Sequence, residues 1–131
     1  MIVLIIAAAT AAANPVCDDR GGDLPSAECW SRAFRSADVE LNAVWPKVRA
    51  AARDADKYFK PTPRRDKPSA ENDLLKAQRT WLAWRDAECA ARSDWAQGGS
   101  LQNVIVSQCA HDLTRARIDQ LQQLFKDFTE P

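Results

Sequence analysis

Residues 89–109 read CAARSDWAQGGSLQNVIVSQC, from Cys89 to Cys109, and this stretch decides the fold. Gly98-Gly99-Ser100 stands at its centre as a turn signal, and each cysteine lies ten residues from Gly99. Both flanks have helical periodicity. If they form antiparallel helices rising about 1.5 Å per residue, positions equidistant from the turn lie at the same height. The two thiols then come face to face. Cys17 and Cys29 make the other pair among the four cysteines, although two further connectivities stay open on sequence alone.

Working outward, Leu74, Gln78, Trp81, Leu82, Arg85 and Cys89 share one face. They predict a helix capped by Ser69 and running to about Gln97. Beyond the turn, with Ser100 as the expected cap, Val106, Ala110, Leu113, Arg117, Leu121, Leu124 and Phe128 carry the stripe of another helix. Nearer the N-terminus, Trp30, Phe34, Ala37, Leu41, Val44, Val48 and Ala51 recur at alternating steps of four and three. Ser26 is the expected N-cap there, and Pro46 predicts a kink or break at Trp45-Pro46. The segment from Lys60 to Pro68 holds three prolines and no apolar period, so it reads as an irregular connection. No part of residues 14–131 alternates with period two. The fold class is therefore all-α, a small disulfide-stapled bundle of three to four helices with an antiparallel hairpin around Gly98-Ser100.

The run from Met1 to Ala13, apolar except for Thr10, ends at Asn14-Pro15. It is too short for a membrane span, which needs roughly 20 apolar residues. Ala11 and Ala13 fit a signal-peptidase site, so residues 1–13 are expected to be removed as a signal peptide. A buried N-terminal helix or an anchor is the alternative. Residues 14–131 then form a single domain, periplasmic or secreted, with no stable membrane insertion. Asn14-Pro15-Val16 precede Cys17 where a lipid-attachment site has small residues, so no lipid anchor is expected. Four cysteines behind such a leader point to an oxidising compartment.

Lysines and arginines number 18, as do acidic residues, for a net charge of zero. That balance gives no case for nucleic-acid binding. Locally, Lys47 to Lys67 carries an excess of five positive charges, while residues 17–40 lean acidic. A solvated face and a flexible loop account for this pattern, with a polarised binding surface as the alternative.

Gln78 and Arg85 sit on an apolar face and need buried partners. Candidates are Asp38 for Arg85, and Asn42 or Arg117 for Gln78, giving a structural polar network of Asn42, Gln78, Arg85 and Arg117. An Arg85 pocket for an anionic ligand is the functional alternative. Trp81 and Trp84 read as core or rim, whereas Trp95 beside the turn is placed for exposed contact. Cys109-Ala110-His111 hints at zinc, but His111 is the only histidine and no Cys-x-x-Cys occurs. No metal, no cofactor and a surface or rim His111 are expected. No nucleophile elbow, phosphate loop or paired acid and base is present, so the chain does not read as an enzyme.

The ordered string Asp38-Val39-Glu40-Leu41-Asn42, then Gln78-x-x-Trp81-x-x-x-Arg85-Asp86-x-x-Cys89, then Gly98-Gly99-Ser100, Cys109, Thr114 and Arg117 resembles the LprI-type lysozyme-inhibitor domain family. The resemblance covers about Cys17 to Leu124 and implies a small exported, helical, disulfide-bonded bacterial domain. It further implies a binding protein whose partner is lysozyme or another exported protein. An envelope interaction module without a lysozyme role is the alternative. An inhibitor would insert an exposed loop into the enzyme's cleft. The candidates are the turn with Trp95, Gly98, Gly99 and Ser100, where a rigid hairpin would place its contact, and the proline-rich loop with Arg64 and Arg65.

Overall fold

A computed structural model describes residues 16–131; the expected signal peptide lies outside them. Three helices follow in order: α1 (Asp23–Asp56), α2 (Ala70–Ser93) and α3 (Ser100–Thr129), with a single 3₁₀ turn at Asp94–Ala96 before α3. No strand is present among the described residues, apart from one isolated bridge between Thr62 and Arg65.

Side-chain contacts fix the directions. Arg49 meets Glu71 near one end of α1, and Arg85 meets Asp38 nearer the other, so α2 runs antiparallel to α1. Ser100 meets Asp23 and Arg115 meets Glu40, so α3 runs parallel to α1. The result is an up-down-up bundle in which α1 and α3 make the largest interface. Ala37, Ala51 and Ala52 are buried on α1, and such small side chains let α3 approach closely.

The core changes character along the bundle. Towards the C-terminal end of α1, aliphatic side chains dominate: Leu41, Val48, Ala52, Leu74, Ile118 and Leu121 are buried together, flanked by Trp81, Leu124 and Phe128. Midway, Cys89, Cys109 and Ala110 pack with Phe34 and Leu113. At the far end Cys17, Trp30 and Val104 form the last cluster. The disulfides therefore lie where aliphatic packing runs out, as small domains with modest cores require.

Four local expectations are corrected. α1 continues through Pro46 without a break. Pro46 is exposed, and so is Asn42, whose carbonyl loses its helical partner to the missing N–H; the lost bond faces water while Leu41 and Val48 hold the other side in the core. Ser26 is not the cap. α1 starts at Asp23 after Gly22, which has φ of 89°, and Pro25 fits within the first turn while Ser26 is buried. Gly99, not Ser100, is the N-cap of α3. Leu82 and Val106 are exposed, and α3 instead buries Val104, Thr114 and Ile118. Ser69 does cap α2, accepting from the Asn72 N–H at 3.2 Å.

Candidate functional site

The two disulfides are Cys17–Cys29 and Cys89–Cys109, with Cα separations of 5.9 Å and 5.6 Å. The symmetric pairing about the glycine turn is the observed one.

The polar groups of α2 and α3 meet around Trp81. Arg85 donates from Nε to Asp86 Oδ1 at 3.0 Å and from a terminal nitrogen to Thr114 Oγ1 at 3.4 Å, and Asp38 lies 3.9 Å away. Its guanidinium sits over the Phe34 ring at 5.1 Å and the Trp81 ring at 5.3 Å. Arg117 donates to Gln78 Oε1 at 2.9 Å and to Gln120 Oε1 at 3.1 Å, with Trp81 at 5.8 Å. Burial lowers the Arg117 pKa from its ordinary value, and one of its terminal nitrogens is buried with no hydrogen-bond partner. Arg85 and Arg117 thus share the Trp81 ring, and Gln78 joins them through its hydrogen bond from Arg117. Asn42 is exposed and stands outside this group. The Arg85 guanidinium and most of that of Arg117 are engaged by the protein's own side chains, which fits a register-fixing role better than a ligand pocket.

His111 is buried, not on the rim. It packs against Trp30 in a tilted contact with ring centroids 5.3 Å apart and contacts Asp112 Oδ1 through Nδ1 at 2.8 Å. Among the described residues no three His, Cys, Asp or Glu side chains converge to hold a metal ion.

The remaining candidates separate to opposite ends. At the α2–α3 tip, Gly98 takes φ of 84°, which a side chain would resist, and the Gly99 N–H donates to the Ala96 carbonyl at 3.1 Å. Ser100 Oγ donates to Asp23 Oδ2 at 2.7 Å, tying the tip to the start of α1. Trp95 is 75% exposed there, and Leu24 on α1 is 73% exposed. Arg64 and Arg65 lie in the α1–α2 connection, a helix length away: α2 has 24 residues, about 36 Å. One compact interface cannot contain both sets.

That connection is irregular, as expected, but it is held by specific hydrogen bonds. Asp56, at the end of α1, accepts from the backbone N–H groups of Ala70 and Glu71 and from Ser69 Oγ, so the two ends of the loop are pinned together. Thr62 and Arg65 exchange backbone hydrogen bonds of 2.9 Å and 3.3 Å across Pro63-Arg64, a tight turn. Pro63 presets the φ that the first central position of such a turn needs. Tyr58 is 83% exposed beside it, and a groove of about 510 Å³ is lined by Tyr58, Phe59, Ala51, Ala55 and Phe128.

The fold also neutralises much of the basic stretch. Glu71 accepts from Arg53 at 2.8 Å and Arg49 at 2.9 Å, and these hydrogen bonds hold its carboxyl down at about 2. Lys57 pairs with Asp54 at 2.7 Å, and Arg65 reaches Asp73 at 3.9 Å. Sequence reasoning missed Asp56 and Glu71, because both act across a connection of more than ten residues. The Pro63 turn had a signal, proline before two polar residues, hidden among its neighbouring prolines.

No helix among the described residues is long and apolar enough to cross a membrane. The chain is 36% identical over 98 residues to an uncharacterized protein of Rhizobium meliloti (strain 1021), covering 75% of this chain and 70% of that one. No solved structure matches it. The family described as Lysozyme inhibitor LprI matches residues 17–121, a span that begins on the first disulfide cysteine and reaches the last fully buried leucine of α3. The chain belongs to the LprI lysozyme-inhibitor family.

Proposed function

We propose that this chain is an exported binding protein, periplasmic or secreted, that blocks a muramidase by placing an exposed loop in its cleft. The observation that carries the reading is the family match, which takes in all four cysteines, most of the bundle and both candidate loops. Two disulfides in so small a domain suit an oxidising compartment. The contact candidates are Trp95, Gly98, Gly99 and Ser100 at one end and Arg64 and Arg65 at the other. Such an inhibitor works by occupancy, without a cofactor and without chemistry of its own.

An envelope module with another exported partner is the competing reading. It draws on the basic stretch and on Arg85, yet Arg85 is buried among its own partners and Glu71 and Asp73 offset part of the charge. Turnover of cell walls by several lysozyme types, with residues 14–131 added, separates the two. Inhibition at micromolar concentration is expected; no inhibition of any type sinks the muramidase reading.

A further inference from the structure

Resting on that reading, we infer that the Thr62–Arg65 turn is the part that enters the cleft, with the Arg64 guanidinium between the enzyme's two catalytic carboxylates.

Few cations of the basic stretch are left free by the fold. Along Lys47 to Lys67 the fold engages Arg49 and Arg53 with Glu71, Lys57 with Asp54, and Arg65 loosely with Asp73. Arg64 has no ion-pair partner among the described residues, and it occupies the apex of the turn, exposed. Lys60 and Lys67 flank it, exposed as well, and outnumber the exposed Asp66 beside them, so the local field stays positive, although neither lysine has its fork geometry.

The turn is also rigid. Reciprocal Thr62–Arg65 hydrogen bonds, the fixed φ of Pro63 and the Asp56 clamp on Ala70 and Glu71 hold the turn in one shape before any partner arrives. Binding then orders little beyond the Arg64 side chain, so more of the interaction energy appears as affinity.

A muramidase stabilises an oxocarbenium-like transition state with a pair of carboxyl groups about 5 to 9 Å apart. A cleft built to favour positive charge at that point is complementary to any cation of suitable shape. A guanidinium presents donors on two edges and can meet both carboxylates at once. The opposite end is wrong for this role. Its 3₁₀ turn carries the exposed Asp94, Asp23 stands against Ser100, and the Ser100 hydroxyl already donates to that aspartate. Carboxylates there would repel those of the cleft.

The test compares Arg64→Ala, Arg64→Lys, Arg64→Glu and Trp95→Ala with the unsubstituted chain, using a muramidase that the chain inhibits and a soluble, uncharged oligosaccharide substrate. Thermal midpoints, expected to be unchanged because Arg64 and Trp95 are exposed, show that each variant is folded. Arg64→Ala should weaken inhibition about 100-fold, as loss of one partner of a desolvated charge pair does. Arg64→Lys should retain part of it, Arg64→Glu should abolish it, and Trp95→Ala should stay within about threefold of the unsubstituted chain. If Arg64→Glu inhibits normally, or Trp95→Ala loses as much as Arg64→Ala, the inference fails and the inhibitor reading stands. Inhibition seen on cell walls but not on the soluble substrate means that the chain binds the anionic polymer, which overturns the inference. If the unsubstituted chain inhibits no muramidase, both fall together.

Discussion

Removing the two disulfides separately should have very different effects, although their loops predict nearly equal ones. Cys89 and Cys109 are 20 residues apart, and Cys17 and Cys29 are 12 apart. On the chain-entropy model those separations give about 3.3 and about 2.8 kcal/mol at 25 °C. The structure breaks the near-tie. Cys89 and Cys109 join the interiors of two packed helices, and neither helix can leave without dissolving the cluster of Phe34, Ala110 and Leu113 around them. In the Cys89→Ala, Cys109→Ala chain the whole entropic loss falls on global stability, about 3 kcal/mol, with a further contribution from the emptied sulfur volume.

Cys17 instead fastens the short segment 16–22 to α1, where it covers Trp30 and Val104. Without that bond the folded chain also gains freedom, because the segment can detach while the helices stay packed. The loss is then limited to the burial of Cys17 and its neighbours, about 1 kcal/mol. At about 4 °C per kcal/mol for a domain of this size, the expected falls in thermal midpoint are about 12 °C and about 4 °C. Urea titration of both double variants, followed by far-ultraviolet circular dichroism without reductant, measures the difference directly. Equal losses, or less than about 1 kcal/mol for Cys89→Ala, Cys109→Ala, would refute the assignment of Cys89–Cys109 as the fastening of the core.

Glu71→Gln tests the clamp on Arg49 and Arg53 through pH. The folded Glu71 carboxyl lies at about 2 against an ordinary value of 4.5, so its stabilisation is complete above about 4.5 and is lost as pH falls through 2. The variant should be the less stable at pH 7, with the difference closing towards pH 2; parallel urea-midpoint curves would remove the clamp from the account. Pro46→Ala should stabilise the chain by about 2 kcal/mol. An interior proline costs a helix about 3 kcal/mol, and the stiffness that proline gives the unfolded chain returns under 1. An unchanged or lowered urea midpoint would show that α1 has adapted to Pro46.

The helices and both disulfides were legible because each rests on local spacing. Steps of three and four mark the stripes, and equidistance from Gly99 matches Cys89 with Cys109. What spacing could not show was how many neighbours a helix has. On α3 the buried residues run from Cys109 through Leu121 and Ile118 to His111 and Val104. At 100° per residue that is an arc of roughly 220°, wider than one stripe. The excess arises because α3 packs on α1 and α2 together, so His111, facing away from Cys109, meets Trp30 and not water. The candidate site was legible only in part. Trp95 and Arg64 read correctly as exposed, but their separation depends on the up-down-up path, which no local pattern encodes. Nor did the positive stretch reveal that α2 would bring Glu71 to it.

The division of the core between aliphatic packing at one end and disulfides at the other gives a way to ask which end meets the enzyme. The Arg64 turn stands on the end packed by Val48, Leu74, Ile118 and Leu121, and Asp56 clamps its base. The Trp95 tip is held by Cys89–Cys109 across its two helices and by the Ser100–Asp23 hydrogen bond. Below its thermal midpoint, the Cys89→Ala, Cys109→Ala chain should therefore keep an ordered Arg64 turn while its tip loosens. If Arg64 is the insert, this variant should inhibit within about twofold of the parent, because sites so far apart couple weakly. If the tip is the insert, the same variant must order it on binding, and inhibition should fall at least tenfold, since about 1.4 kcal/mol of ordering is enough. Inhibition constants measured at 15 °C, where both chains are folded, decide between them: a tenfold loss would move the contact to Trp95 and leave the Arg64 turn as a structural connection.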